Sequence, residues 1–371
     1  MKLKQNYRRI VIKIGTSSLI DSLGSLSQEK LLRIVEQCVK VRRLNKEVIL
    51  VSSGAIASGR EVLKSLANRK DLPAKQALAA VGQIRLMQYY SNLFSLFKQP
   101  VAQILLTAED LNDRKRFLNI SYTFETLLKE GVIPIVNEND TVAVDEIKIG
   151  DNDTLSAKVA CAVNSDLLII LSDVDGVYTK DPRLDPNAEL ISEIHDIDET
   201  IEKSAGPGKG TGGMTTKISS AKIVMEAGIP MVLANSEKND VIIRIINGEK
   251  IGTYFVPKKE HRKKRKHWLL FITKPEGKIY IDEGAVEAIL KKGKSLLPVG
   301  IKKVEGNFLN GDVVSICDMK GKEIARGISN YSSSELIRII GKTREEIIEL
   351  TDFVYEEAIH RDNLVIRDEK E

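Results

Sequence analysis

Apolar runs alternating with longer helical periods predict an α/β protein: a three-layer sandwich around a mainly parallel sheet, joined to a small β-rich domain. Three observations carry this expectation. Runs such as residues 48–51 and 167–171 are apolar at every position, the pattern of strands buried on both faces. The segments between such runs repeat apolar residues at helical spacing, as crossovers between parallel strands require. From residue 268 onward the texture changes to short strands separated by glycine turns.

Taken in order, residues 8–14 form a β-branched strand that ends at Gly15-Thr16-Ser17-Ser18, a loop sized for a phosphate. Lys13 lies inside that strand. A strand lysine usually reaches for water, but one abutting such a turn is a candidate to touch a phosphate. A helix over 28–44 follows, with Leu31, Leu32, Ile34, Val35, Cys38, Val41 and Leu44 on one stripe. The strand at 48–51 ends in Ser52-Ser53-Gly54-Ala55 and enters another helix, whose first N–H groups favour anions. A long helix over 74–97 carries Tyr89, Tyr90, Phe94 and Phe97, which read as core or a subunit contact rather than a cofactor box. A strand at 101–106, a helix at 113–129 and strands at 132–136 and 167–171 complete this part.

Composition narrows the class. The 371 residues allow two or three domains at about 100–200 residues each, and 42% hydrophobic with 29% charged residues describes an ordinary globular chain. The first residues run into a strand without an apolar leader, and the longest apolar runs are too short for a bilayer, so a cytoplasmic protein with no membrane partner is expected. Cys38, Cys161 and Cys317 are widely spaced in apolar contexts and read as reduced core residues. His195, His261, His267 and His360 form no ligand pair, so neither a metal site nor a histidine base is expected. The net charge of +4 has a local source: residues 258–266 hold seven Lys/Arg and one Glu, leaving 49 basic against 51 acidic residues elsewhere. That run reads as a basic linker, 258–267, between domains at 1–257 and 268–371.

The chemistry concentrates between residues 134 and 158. Asn137-Glu138-Asn139-Asp140 leaves a strand, and Gly150-Asp151-Asn152-Asp153 opens a helix. One such cluster is an ordinary turn or cap. Two joined by a short segment read as a binding site, because polar groups packed at the ends of buried elements are costly unless they bind something. A calcium loop fails on spacing, lacking the glycine and glutamate it needs. Ser172-Asp173 at the end of the fifth strand adds another polar loop. Residues 206–217 contain five glycines and lead into a helix through Met225; the pattern is neither a Walker loop nor a dinucleotide fingerprint. It reads as a hinge or, better, as a solvent-facing nucleotide lid that delivers Lys217 near a helix start.

If the lysines and glycine loops hold ATP, a carboxylate acceptor fits the missing histidine base, since its pKa of about 4.3 makes it a nucleophile at neutral pH. The remaining demand is to neutralise charge between two anions. Six segments in order now carry a family resemblance: Val11-Ile-Lys-Ile-Gly-Thr-Ser-Ser, Val51-Ser-Ser-Gly-Ala-Ile-Ala-Ser-Gly-Arg, Val136-Asn-Glu-Asn-Asp, Ile149-Gly-Asp-Asn-Asp, Leu171-Ser-Asp-Val-Asp-Gly-Val-Tyr and Gly210-Thr-Gly-Gly-Met-Thr-Thr-Lys. With them the chain resembles the amino acid kinase family. Asp282-Glu-Gly-Ala and Ser295-Leu-Leu-Pro-Val-Gly-Ile resemble a PUA domain.

The resemblance implies the amino acid kinase fold and ATP-dependent phosphorylation of the γ-carboxylate of L-glutamate. Matching positions would set Lys13 and Lys217 on the phosphates, with Asp153 holding both ammonium groups. Ser53, Asp140 and Asn152 would hold glutamate. Ser172 and Asp173, with Thr211, Gly212, Gly213, Met214, Thr215, Thr216 and Lys217, would line the nucleotide site. Ser172 stands where the family often has threonine, which keeps the hydroxyl. The resemblance also implies Mg²⁺, proline as feedback inhibitor, a homodimer or tetramer, and a glutamyl-phosphate reductase as partner. Two alternatives remain at this point: a kinase of the same fold acting on aspartate, acetylglutamate or UMP, and an RNA-binding protein. Against RNA, residues 268–371 hold 16 Lys/Arg and 19 Asp/Glu, a net of −3.

Overall fold

Strands with apolar side chains on both faces need cover on both faces, and the chain supplies it. The computed structural model describes residues 7–142, 152–182, 184–198, 201, 213–257, 275–343, 346–347 and 357–366. The chain divides into two compact units, Met1–Lys259 and Glu260–Glu371.

The first unit is built on eight strands: β1 (Arg9–Ile14), β2 (Glu47–Ser52), β3 (Val101–Leu106), β4 (Ile133–Glu138), β5 (Leu167–Ser172), β6 (Glu193–Ile194), β7 (Met231–Asn235) and β8 (Thr253–Phe255). Their spatial order is β3-β4-β2-β1-β5-β7-β8-β6. From β3 to β7 every pairing is parallel; β8 runs antiparallel to β7. Ile14 lies opposite both Ser52 and Leu171, so the carboxyl ends of the central strands form one level edge.

Alternation along each strand divides the apolar side chains between two cores. Ile10, Ile12 and Ile14 pack with Leu50, Ile135 and Ile169 beneath α1 (Gln28–Arg43) and α3 (Leu72–Ser95). Val11, Ile49, Val51, Val136, Leu168 and Ile170 pack on the other face, against α5 (Arg114–Lys129) and α6 (Asn152–Ala162). The same alternation aims polar residues: Lys13 shares the face of Val11, and Asn137 shares the face of Ile135.

Two short helices follow strands on one side of β1, α2 (Ala55–Val62) after β2 and α4 (Ala108–Asn112) after β3. Helix α7 (Met214–Glu226) leads into β7, and α8 (Val241–Ile246) follows it. Sequence periodicity assigns nothing to residues 226–257, where the structure has β7, α8 and β8. Helix α8, Val-Ile-Ile-Arg-Ile-Ile, is rich in β-branched residues that favour strand. Tertiary contacts decide otherwise: Gln37 of α1 accepts the buried Ile242 N–H at 2.9 Å, and Lys40 pairs with Asp240 at 2.8 Å.

The second unit has a five-stranded sheet in the order β10-β9-β11-β12-β13, formed by β9 (Gly277–Ile281), β10 (Ile301–Gly306), β11 (Val313–Cys317), β12 (Glu323–Ile328) and β13 (Leu364–Ile366). Helices α9 (Glu283–Leu290) and α10 (Ser333–Ile339) accompany it, and Ile279, Ile281, Phe308, Ile316 and Leu336 fill its core. The strands expected at 278–281, 313–317 and 323–327 are present. The strand expected at 268–272 and the basic run 258–267 lie outside the described residues. Strand β10, Ile-Lys-Lys-Val-Glu-Gly, escapes sequence patterning because it is a largely exposed edge.

Helices α2 and α3 approach until their backbones touch, and two glycines permit it. A Cβ on Gly82 would stand 1.8 Å from the Ala55 carbonyl oxygen, and one on Gly59 would stand 2.0 Å from that of Leu78. Gly82→Ala should therefore overpack the crossing and lower the unfolding free energy by about 2 kcal/mol or more. Urea unfolding checks this, as a midpoint shift with unchanged slope; an unshifted midpoint would mean the helices separate freely.

Candidate active site

A lysine inside a parallel strand has no route to bulk water, so it must find a counter-charge. Lys13 finds it in Asp153, in the first turn of α6, and Lys217, in the first turns of α7, meets the same carboxylate from the other side at 3.1 Å. The three residues are 4%, 0% and 5% exposed. Thr216 Oγ1 donates to the same carboxylate oxygen as Lys217, also at 3.1 Å. Burial pushes the Asp153 pKa up, but the two lysines outweigh it and hold the carboxyl below the usual range. Two ammonium groups thus gather on one buried carboxylate at the carboxyl edge of the sheet, an arrangement suited to an anion.

The surroundings add to that preference. Helix α2, N-capped by Gly54 at φ 108°, and helix α7, N-capped by Gly213, both start without a side-chain cap, leaving N–H groups for a ligand. Gly15 keeps the space beside Lys13 open: a Cβ there would stand 3.5 Å from the Lys13 ammonium.

On the β2 and β4 side, a chain of amides runs into the same edge. Asn137 Nδ2 donates to Gln83 Oε1 of α3 at 2.8 Å. Asn152 Nδ2 donates to Asn137 Oδ1 at 3.1 Å and to Ser53 Oγ at 2.8 Å. Among the described residues, Asn152 Oδ1 is buried without a hydrogen-bond partner. Asp140, two residues beyond β4, is half-buried, and burial raises its pKa above the ordinary carboxylate value.

On the β5 side, Ser172 ends the strand and donates to the exposed Asp173 at 2.9 Å. The strand order thus sets Ser53, Asn137 and Asp140 to one side of Lys13 and Ser172 with Asp173 to the other. At about 4.8 Å per strand, β4 and β5 lie roughly 14 Å apart, room for two ligands whose reactive ends meet at the lysines.

The structure thus brings together Lys13, Asp153, Lys217, Thr216, Ser53 and Asn152. Gly213, Met214 and Thr215 begin α7, whereas Thr211 and Gly212 lie outside the described residues, as does most of the glycine-rich stretch. One expectation changes: Lys217 belongs to a helix and is buried, not carried on a solvent-facing loop. Helix α7 starts at Met214, and its first turns face Asp153 of α6. Sequence reading also passed over Gln83 and gave Asn137 no separate role. Gln83 does carry a signal, because it interrupts the buried stripe of Ala79, Leu86 and Tyr90 at helical spacing.

The sequence pattern of the Amino acid kinase family matches residues 8–235, more than half of the chain and all of the span from β1 to β7. The chain belongs to the amino acid kinase family. In this amino acid kinase the PUA domain pattern matches residues 277–351, within the second unit. The chain is 67% identical over 364 residues to a protein of Dictyoglomus thermophilum named glutamate 5-kinase, covering 97% of this chain and 98% of that one. A Thermoanaerobacter pseudethanolicus protein of the same name is 49% identical over 96% of this chain and 97% of its own. A third, from Trichlorobacter lovleyi, is 46% identical over 98% of each.

Asp153→Asn keeps the shape but leaves two buried ammonium groups facing a neutral amide, which should cost about 3–5 kcal/mol of stability at neutral pH. The wild-type advantage resides in a carboxylate with a depressed folded pKa. It is therefore fully present above the unfolded value of about 3.9 and lost as pH falls through the lower folded value. Denaturant unfolding at pH 7 and pH 3 should show the wild-type and variant stabilities converging in acid. An equal gap at both pH values would contradict the ionic origin.

Proposed function

We propose that the protein transfers the γ-phosphoryl group of ATP to the γ-carboxylate of L-glutamate, giving L-glutamyl 5-phosphate and ADP, the first step of proline biosynthesis. The observation that carries the chemistry is the buried Lys13–Asp153–Lys217 group at the centre of the carboxyl edge. The substrate rests on the near full-length identity to proteins named glutamate 5-kinase.

A γ-carboxylate oxygen attacks the γ-phosphorus as the bond to the β,γ-bridging oxygen breaks and its electrons leave with ADP. The nucleophile is ionised at neutral pH, so no base is required. The barrier is the approach of two anions, and catalysis is positioning with charge neutralisation. Lys13 and Lys217 supply that charge at the phosphates, and Asp153 keeps the pair in register without cancelling it. Asp140 and Asn152 hold the α-ammonium of glutamate, while Ser53, beside the start of α2, suits a carboxylate. Ser172, Asp173 and Thr211 to Lys217 line the nucleotide site.

Mg²⁺ enters with the nucleotide. Among the described residues no three Asp, Glu, His or Cys side chains gather as a metal site, and Mg²⁺ favours phosphate oxygens and water over all-protein cages, so the residues fit it as a companion of the phosphates. When bound it supplies further neutralisation of phosphate charge.

The reading extends to a catalytic domain at 1–257, a linker at 258–267 and a PUA-like domain at 268–371. It includes proline as feedback inhibitor, a homodimer or tetramer, and a glutamyl-phosphate reductase to consume the reactive acyl phosphate. Cytoplasmic placement belongs to the same reading; no helix among the described residues is long and apolar enough to cross a membrane.

The test is ADP release from Mg-ATP with glutamate, aspartate, acetylglutamate or UMP, with hydroxylamine trapping any acyl phosphate as hydroxamate. Glutamate alone should give hydroxamate; its failure with folded protein would sink the assignment. Asp140 adds a pH signature. Its carboxyl is raised by burial, and a neighbouring ammonium would lower it again, so glutamate binding should expel a proton. The KM for glutamate should therefore climb as pH falls through the raised value while that for ATP stays level. Asp140→Asn should raise the glutamate KM about tenfold or more and flatten this dependence. Equal losses for both substrates would make Asp140 structural.

A further inference from the structure

Helix α3 contributes no residue to the reacting centre, yet it presses Gln83 into the polar edge. Gly82 allows the approach, since the α3 backbone there meets the carbonyl of Ala55, the first residue of α2. The residue after it, Gln83, is 9% exposed, and its Oε1 accepts from Asn137 Nδ2, itself on a residue 3% exposed.

Donor and acceptor roles along the amide chain are set by groups that cannot reverse. The backbone N–H of Glu138 donates to Asn137 Oδ1 at 2.9 Å, so that oxygen faces Glu138. Asn137 Nδ2 must then face Gln83. The Ser52 carbonyl can only accept, and Asn152 Nδ2 donates to it at 3.4 Å as well as to Asn137 Oδ1 and Ser53 Oγ. The atom left over is Asn152 Oδ1, an acceptor without a partner among the described residues. An acceptor suits an ammonium group; an amide nitrogen in its place would repel one.

We propose that Gln83 is a positioning residue for the amino-acid substrate: the Glu138 N–H and the Ser52 carbonyl set which way the Asn137 and Asn152 amides face, and Gln83 Oε1 anchors Asn137, and through it Asn152, where Asn152 Oδ1 meets the α-ammonium. This rests on the glutamate kinase reading. Without an acceptor at position 83, the buried Asn137 Nδ2 loses its partner. Asn137 regains one only by shifting toward another acceptor, which draws its Oδ1 away from Asn152 Nδ2 and moves Asn152 Oδ1 off the position that meets the ammonium.

The experiment compares wild type with Gln83→Met, nearly isosteric but without hydrogen-bonding groups, and Gln83→Glu, which keeps an acceptor and lacks the amide donor. Hydroxamate formation gives KM and kcat for glutamate and for ATP separately, and a thermal midpoint is recorded for each protein. Gln83→Met should raise the glutamate KM about tenfold or more with the ATP KM within about twofold of wild type. Gln83→Glu should recover most of the loss. Should Gln83→Met fail to fold, Gln83→Asn, one methylene too short to reach Asn137, should show the same KM split.

An unchanged glutamate KM in the acceptor-lacking variants, or equal rises for both substrates, overturns the proposal. So does a Gln83→Glu protein as impaired as Gln83→Met, since the side-chain N–H would then be the group that matters. Absence of glutamate-dependent hydroxamate in wild type would instead overturn the underlying activity, so the two failures are separable.

Discussion

Two lysines that arrive from different layers of the fold converge on one carboxylate with no solvent exposure, and the rest of the first unit keeps them there. Lys13 comes from the central strand, Lys217 from a helix more than two hundred residues later, and Asp153 from the helix between them in sequence. A buried ion pair of equal charges is weak evidence for stability, because desolvation offsets most of the attraction. A buried two-to-one group is different in kind. Two ammonium groups drawn to one carboxylate at a strand end favour an anion there, so the arrangement reads as a binding device before it reads as a structural one.

The sheet makes that device directional. With β1 in the middle of the level carboxyl edge, the neighbours β2 and β4 place hydroxyl, amide and carboxylate groups on one side. On the other side, β5 places Ser172 and Asp173. Each half can be specialised for its own ligand without disturbing the other. Side-chain alternation carries this further: Lys13 and Asn137 leave opposite faces of the sheet, one toward α6 and α7, the other toward α3. The amino acid half is therefore buttressed by a helix that never meets the phosphates, and the glycine contact between α2 and α3 ties that helix to the turn after β2.

At the amino end of the same sheet, Arg9 bridges Glu47 of β2 and Glu125 of α5, and the backbone N–H groups of Arg8 and Arg9 both donate to Asp166. Carboxylates outnumber the cation there, whereas at the carboxyl edge two lysines share one carboxylate. The contrast separates a clasp that fixes layers from a site that awaits a ligand. The second unit is a separate sheet with its own core, and the match to the PUA domain gives its family without giving it a task in the reaction.

The amino-acid sequence by itself determined the strands of the kinase sheet from β1 to β5 and the longer helices between them, though not the short α4. Each is written in local periodicity: all-apolar runs can only be strands covered twice, and helical stripes can only face a layer. The types of residue at the site were legible too, because clustered Asn, Asp, Gly and Lys at strand ends have few other uses. What only the tertiary structure decided is which of them meet. Lys217 turned from a loop residue into a buried helical one because Asp153 waits opposite the start of α7. Helix α8 formed against its β-branched composition because Gln37 and Lys40 of α1 hold its first turn. Gln83 gained a role because a glycine beside it lets two helices touch. In each case the deciding partner lies far away along the chain, at a distance no local pattern can encode, and the energy of pairing a buried polar group outweighs the propensity of a few residues.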